Sequence, residues 1–214
     1  MTDQPDHRGQ ERMGFLLTLR RRGINDKAVL HAMEEVPRER FVEAEFAGRS
    51  YADHALPIAC GQTISQPYVV AYMTEQLEVR PHHRVLEVGT GSGYQAAILS
   101  RLAKEVYSIE RLAPLLAKAR QHFRALRIMN VRLRHGDGNV GMNEVAPFDA
   151  IIVTAAATHV PPELLEQLQL NGRMVVPMAH KGEQRLTVIE RTPQGYIEKR
   201  MDVVKFVPLL PGVG

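Results

Sequence analysis

The chain has 214 residues, 44% of them hydrophobic, and a single cysteine, Cys60, so it has material for one ordinary core and no means of forming an internal disulfide. Its net charge of +3 permits acidic substrates but gives little support for a nucleic-acid-binding face, and no apolar run is long enough to span a bilayer. The polar N-terminus shows no signal-peptide pattern, and with one cysteine this suits a reducing, cytoplasmic setting.

Met1 to Gln10 is polar and reads as frayed. Met13, Phe15, Leu16, Leu17 and Leu19 predict a short helix over Glu11 to Arg22, closed by Gly23. Arg20, Arg21 and Arg22 in its last turn complement the helix dipole, a simpler reading than an anion site. Asn25 or Asp26 caps a second helix through Glu35, with Ala28, Val29, Ala32 and Met33 on its buried face, and Pro37 ends it. Leu56 to Pro67 is a loop by its Pro and Gly content and leads into a helix from Pro67 to about Glu78. Taken alone, Gln62, Thr63 and Ser65 at that entrance would be capping groups.

The apolar run Val85 to Val88 then enters Gly89-Thr90-Gly91-Ser92-Gly93, and Tyr94 to Leu99 takes up helical spacing, which is half of a βαβ unit. A phosphate loop is excluded because no Gly-Lys-Ser/Thr follows. The dinucleotide fingerprint is disfavoured because the third glycine comes one position early and Tyr94 stands where a small residue is needed. Gly-x-Gly-x-Gly preceded by Glu87 resembles instead the first motif of the class I S-adenosylmethionine-dependent methyltransferases. The next strand, Glu105 to Ile109, ends at Glu110, about twenty positions on, where such folds place a carboxylate on the ribose diol.

Leu115, Leu116, Ala119 and Phe123 predict a helix over Ala113 to Leu126, followed by strands over Val131 to His135 and Phe148 to Val153. The first of these strands delivers Asp137 to the carboxyl end of the sheet. Thr154-Ala155-Ala156-Ala157 replaces the Asn/Asp-Pro-Pro-aromatic sequence common where an amine is methylated, and Pro161-Pro162 starts a helix. Arg173 to Met178 reads as a fifth strand, and Arg185 to Arg191 with Tyr196 to Val207 as a closing antiparallel hairpin around Gln194-Gly195. The expected fold is α/β, a doubly wound, mostly parallel sheet of the class I methyltransferase type with N-terminal helices and that hairpin. One domain, 1–214, is expected, with helices and substrate loop in 1–80, cofactor core in 81–180 and hairpin in 181–214.

Pro57-Ile58-x-x-Gly61-Gln62-Thr63-Ile64-Ser65-Gln66-Pro67, with Leu86 to Tyr94, His135-Gly136-Asp137-Gly138, Ala146 to Ala156 and Phe206-Val207-Pro208-Leu209, closely resembles the protein-L-isoaspartate O-methyltransferases. The likeness runs from about Met13 to Pro211, with Ala59 standing where the family pattern has glycine. It implies methyl transfer from S-adenosylmethionine to the free carboxylate of L-isoaspartyl, or D-aspartyl, residues in damaged proteins, the ester then closing to a succinimide on the way to repair. It further implies Ser65 as the catalytic residue, and Gln62, Thr63, Val204, Phe206 and Val207 as substrate contacts, the strand about Val204 to Val207 pairing with peptide backbone. The cofactor contacts it implies are Ile64, Ser65, Glu87, Gly89, Thr90, Gly91, Ser92, Gly93, Glu110, Arg111, Gly136, Asp137 and Gly138, with the Asp137 carboxylate accepting from the adenine amine. The product cofactor would be S-adenosylhomocysteine. No metal is expected, since His-Glu-x-x-His and paired cysteines are missing, and Cys60 has no visible activating partner. Partners are isoaspartyl peptides and proteins, with no nucleic acid or membrane, and the chain is expected to be a monomer. A small-molecule or nucleic-acid methyltransferase would keep the cofactor motifs but ignore isoaspartyl peptide, and a non-catalytic adaptor would bind its partner whether or not cofactor is present.

Overall fold

The computed structural model describes residues 7–214. Helix α1 spans His7–Arg21, so it starts four residues before the expected point, and the rest of the stretch read as frayed lies outside the described residues. In α2, Lys27–Glu35, the Asp26 carboxylate accepts the N–H groups of Ala28 (2.7 Å) and Val29 (3.1 Å), two donors that the helix leaves orphaned. Its buried face is Val29, Leu30, Ala32 and Met33; Ala28, expected there, is exposed.

Leu56–Pro57 (β1) pairs antiparallel with Thr63–Ile64 (β2), which turns the expected loop into a small hairpin ahead of α3, Pro67–Leu77. The chain reverses at Cys60 (φ 58°) and Gly61 (φ 65°). Ala59 lies outside the left-handed pair, so the position needs no glycine on conformational grounds.

The main sheet is built from β3 (Arg84–Val88), β4 (Glu105–Glu110), β5 (Val131–His135), β6 (Phe148–Val153), β7 (Leu168–His180), β8 (Glu183–Thr192) and β9 (Gly195–Val203), in the order β5-β4-β3-β6-β7-β8-β9. Pairing is parallel from β5 to β7 and antiparallel for β8 and β9. Helices α4 (Tyr94–Leu99) and α5 (Ala113–Ala125) cross over on one face and the short α6 (Pro162–Glu166) on the other. Both faces are therefore dry: Ala150 and Ile152 of β6 enter the larger core, Ile151 and Val153 the smaller one. A strand covered on both sides reads as an unbroken apolar run, as Phe148 to Val153 does.

Two strand boundaries differ from expectation by more than two residues. β7 begins at Leu168 rather than Arg173, because left-handed Asn171 (φ 62°) and an irregularity opposite Phe148 and Ala150 let the strand bend without ending. β9 stops at Val203, so the strand expected over Val204 to Val207 is not formed. There the chain leaves the ladder: Val204 N–H donates to the Gln184 carbonyl (2.9 Å) and Phe206 N–H to Gln184 Oε1 (2.6 Å). The Gln184 amide returns a bond to the Phe206 carbonyl (3.1 Å).

Candidate active site

The chain winds outward from β3 through β4 to β5, then crosses back to β6 on the other side of β3. That reversal opens a crevice at the carboxyl ends of the strands, the place where open α/β sheets bind ligands. A cavity of about 320 Å³ lies there. Its walls are Gly89 to Ser92 after β3, Glu110 to Leu112 after β4, Gly138 after β5 and Thr154-Ala155 after β6, with Gly61 to Ser65 and Phe206 to Leu210 across the mouth.

The glycine turn is tightly held. Gly89 sits at φ 99°, and a Cβ there would lie 2.4 Å from Thr154 Oγ1. That hydroxyl is 2.7 Å from the Gly89 carbonyl and 3.0 Å from the Val88 carbonyl, so Thr154 ties the end of β6 to the turn. The N–H of Gly91 donates to Glu110 Oε2 (2.8 Å) and that of Leu112 to Oε1 (2.9 Å), fixing a buried carboxylate at the edge of the cavity. Each oxygen keeps acceptor capacity, since a carboxylate offers about four lone-pair sites.

The C-terminal segment borders the mouth. Ala156 N–H donates to the Val207 carbonyl (2.8 Å) and Leu209 N–H to the Ala156 carbonyl (2.8 Å), which stitches the segment beside the end of β6. Beyond it, Gly214 N–H donates to the Arg111 carbonyl (2.9 Å) and Arg111 Nε to the Gly212 carbonyl (3.2 Å).

The protein-L-isoaspartate(D-aspartate) O-methyltransferase family profile matches residues 10–213. The chain belongs to this family. Relatives in it include the protein-L-isoaspartate O-methyltransferases of Parvibaculum lavamentivorans, 56% identical over 97% of this chain and 95% of that one, and of Dechloromonas aromatica, 57% identical over 91% and 90%. Among solved structures, a protein-L-isoaspartate O-methyltransferase superposes with a TM-score of 0.86 at 28% identity, covering 95% of this chain and 67% of that one. A Plasmodium falciparum chain described as the same enzyme, solved in complex with S-adenosyl-L-homocysteine, superposes with a TM-score of 0.83 at 28% identity, covering 92% and 97%. The doubly wound, mostly parallel class I architecture with its C-terminal antiparallel strands follows from both.

Within this member of the protein-L-isoaspartate O-methyltransferase family, the cavity gathers Gln62, Thr63, Ile64, Ser65, Gly89, Thr90, Gly91, Ser92, Glu110, Arg111, Gly138, Phe206 and Val207 of the residues that the sequence pattern singles out. The rest stand elsewhere. Glu87 is fully buried and does not line the cavity, because alternation along β3 puts its side chain with Val85 on the α4 face. Its Oε2 accepts the hydroxyl of Ser108, its cross-strand neighbour, and Ser108 Oγ lies 2.6 Å from Thr90 Oγ1. Burial pushes the Glu87 carboxyl up to about 8, with the Glu110 charge adding to the rise against the Ser108 bond.

Gly93 serves packing: a Cβ there would stand 2.9 Å from Phe123 Cε1 of α5. Asp137 is turned away from the cavity and both its oxygens are engaged. Oδ1 accepts the Asn139 N–H (2.8 Å) and amide (2.9 Å), and Oδ2 accepts the Gly212 N–H (2.6 Å). Partial burial disfavours its charge, but these donors and Arg111 hold its carboxyl below the usual carboxylate range. An adenine amine would have to compete with them. Gly136 also lies outside the cavity, whereas Gly138 is at its wall with no room for a side chain, a Cβ there falling 2.3 Å from Val88 Cγ1. Val204 is outside as well, held by Gln184.

The cavity also uses Gln95, Leu112, Leu115 and Leu210, which sequence reasoning does not pick out. Leu112 and Leu115 follow Glu110 closely and carry only an ordinary apolar pattern. Gln95 is distinguishable as the one polar residue in Tyr94 to Leu99 besides Tyr94 itself; its amide reaches Thr74 Oγ1 of α3 (2.9 Å). The donor set fits a nucleoside cofactor: a buried carboxylate with spare lone pairs for a diol, glycine backbone in close approach, and apolar side chains for a base. Among the described residues no cluster of three or more His, Cys, Asp or Glu side chains is placed to hold a metal ion, and no helix is long and apolar enough to cross a membrane.

Proposed function

We propose that this chain transfers a methyl group from S-adenosyl-L-methionine to the free carboxylate of L-isoaspartyl residues, and of D-aspartyl residues, in damaged proteins and peptides, with repair continuing through a succinimide. The observation that carries the reading is that Gln62, Thr63 and Ser65 of the family motif and the Gly89 to Gly91 turn line one cavity. A carboxylate acceptor has a pKa near 4 and arrives ionised, so no general base is required of the chain.

When bound, the cofactor supplies a methyl group on a sulfonium, which passes to a carboxylate oxygen by in-line displacement as the carbon–sulfur electron pair returns to sulfur. The chain's task is alignment. Glu110 would hold the ribose hydroxyls, and the Gly89 to Gly91 turn, with no side chain on either glycine, would let the cofactor approach its backbone. The Thr63 and Ser65 hydroxyls line the cavity, and each would donate to the acceptor carboxylate. Phe206 and Val207 line the same cavity, where their apolar surface would exclude water from the reacting atoms. Holding oxygen, carbon and sulfur in line can supply on the order of 7–11 kcal/mol of the barrier. A cytoplasmic setting suits the exposed, unpaired Cys60 beside the site.

The test is transfer of labelled methyl to a short L-isoaspartyl peptide beside its L-aspartyl counterpart. Base-labile label on the isoaspartyl peptide alone is expected; label on neither peptide, with the cofactor bound, would move the acceptor to another class. Ser65→Ala removes one donor to a charged group, worth roughly 1.5–3 kcal/mol. It should cut kcat by about 10–100-fold while S-adenosylhomocysteine affinity stays within about threefold; undiminished turnover would remove Ser65 from the reaction.

A further inference from the structure

Ser65 sits one residue before Gln66, the N-cap of α3, and the Gln66 side chain makes no capping bond to that helix. Its amide instead reaches back to Asp53, donating to the Asp53 carbonyl (2.8 Å) and to Oδ2 (3.0 Å). Asp53 Oδ1 accepts the N–H of Tyr68, one of the first-turn donors of α3 (3.0 Å). The missing cap is therefore supplied from outside the helix, by a carboxylate that also suits the positive end of the helix dipole.

The same carboxylate pairs with Arg22, just past the end of α1, and the Arg22 guanidinium lies 3.6 Å from the centre of the Tyr68 ring. Tyr68 is stacked in turn on Tyr72, with ring centres 5.6 Å apart and planes 7° from parallel. Arg22 thus ties α1 to α3, where the sequence suggested only a complement to the α1 dipole. The far half of α3 is fastened too: Glu75 Oε1 accepts the N–H groups of Asn25 (2.8 Å) and Asp26 (2.7 Å), and Thr74 accepts from Gln95 of α4. Helix α3 is a fixed beam between the cofactor side of the cavity and the hairpin, and Asp53 clamps the hairpin to its end.

We propose that Asp53 is a positioning residue for methyl transfer, holding Ser65 at the mouth of the cavity through Gln66 and the first turn of α3. This rests on the assignment of Ser65 to the acceptor carboxylate. Asp53 touches neither substrate nor cofactor in this arrangement. Its effect belongs in the alignment of the acceptor, where a displacement of about 1 Å can cost on the order of 100-fold in rate.

Asp53→Ala and Asp53→Asn are to be compared with wild type in kcat and KM for an L-isoaspartyl peptide, in S-adenosylhomocysteine affinity by calorimetry, and in amide exchange over residues 62–70. For Asp53→Ala the expected result is kcat lower by about 10–100-fold, cofactor affinity within about threefold, and exchange in that segment faster by about tenfold or more. Asp53→Asn keeps an acceptor for Tyr68 N–H but turns an amide donor toward the Gln66 amide and Arg22, so it should restore kcat only in part. A merely structural residue would lower thermal stability and cofactor affinity together, without a selective loss of kcat or rescue by asparagine. Wild-type kcat and exchange in Asp53→Ala would overturn the proposal, as would equal losses in kcat and cofactor binding. If the wild-type protein does not methylate the isoaspartyl peptide, the functional reading fails, while the exchange comparison still decides whether Asp53 holds the hairpin.

Discussion

Glu110→Gln is expected to weaken S-adenosylhomocysteine binding by about 10²–10⁴-fold. Each Glu110 oxygen accepts one backbone N–H, from Gly91 or Leu112, and has capacity left for one ribose hydroxyl. Hydrogen bonds to a charged acceptor are worth roughly 1.5–3 kcal/mol each; glutamine takes the charge from both and removes one acceptor outright, so the loss runs up to about 3–6 kcal/mol, and about 1.4 kcal/mol is tenfold in affinity. The amide adds a second injury, because its NH₂ must face either the Gly91 or the Leu112 N–H and so loosens the turn that carries the cofactor. Calorimetric titration measures the affinity directly. Thermal unfolding gives an independent reading: at about 100 times the wild-type Kd, ligand should stabilise the wild type by about 2.7 kcal/mol and the variant by almost nothing. Equal ligand stabilisation of the two proteins would remove Glu110 from the cofactor site.

The parts of this fold that were legible are those with local causes. Strands β5 and β6 have their expected ends because each is a short run bounded by turn residues, and the glycine turn is legible because Gly89 and Gly91 must take positive φ. The roles of Thr63 and Ser65 rest on resemblance, since the residues alone read as helix caps, and the small hairpin that replaces the expected loop has no signal in the sequence. What was not legible depends on contacts far apart in sequence. The departure of Val204 to Val207 from the ladder is decided by Gln184, and the anchoring of Gln66, next to Ser65, by Asp53, thirteen positions before it. Thr154 stands out in the sequence for the chemistry that its stretch excludes, while its grip on Gly89 depends on the register of β3 against β6. Glu87 is a different case. In a strand buried on both faces, alternation does not reveal which side a lone carboxyl takes, so its position beside the glycines suggested the ligand when its side chain is under α4.

Glu87→Gln is accordingly expected to change the pH dependence of stability more than it changes cofactor binding. Burial raises the Glu87 carboxyl from an ordinary 4.5 to about 8, so between those limits the folded protein keeps a proton that the unfolded chain has released. The unfolded state then binds fewer protons than the native one, and stability falls as pH rises, by up to about 1.4 kcal/mol per unit for this group. Its contribution is fully present below the unfolded value and lost as pH climbs to the folded value. Glutamine has no such proton and keeps an oxygen to accept the Ser108 hydroxyl. Urea unfolding at pH 5.5 and 7.5 should therefore show the variant gaining about 2.5 kcal/mol on the wild type between the two conditions. A constant difference would mean that Glu87 is ionised in the folded protein. Because Glu87 accepts from Ser108, the Ser108 oxygen is left to accept from Thr90, and the Thr90 oxygen keeps its lone pairs for the cavity. The carboxyl before the glycines is thus linked through two hydroxyls to the cavity wall, and an uncharged side chain that accepts the same hydrogen bond should leave S-adenosylhomocysteine affinity within about threefold.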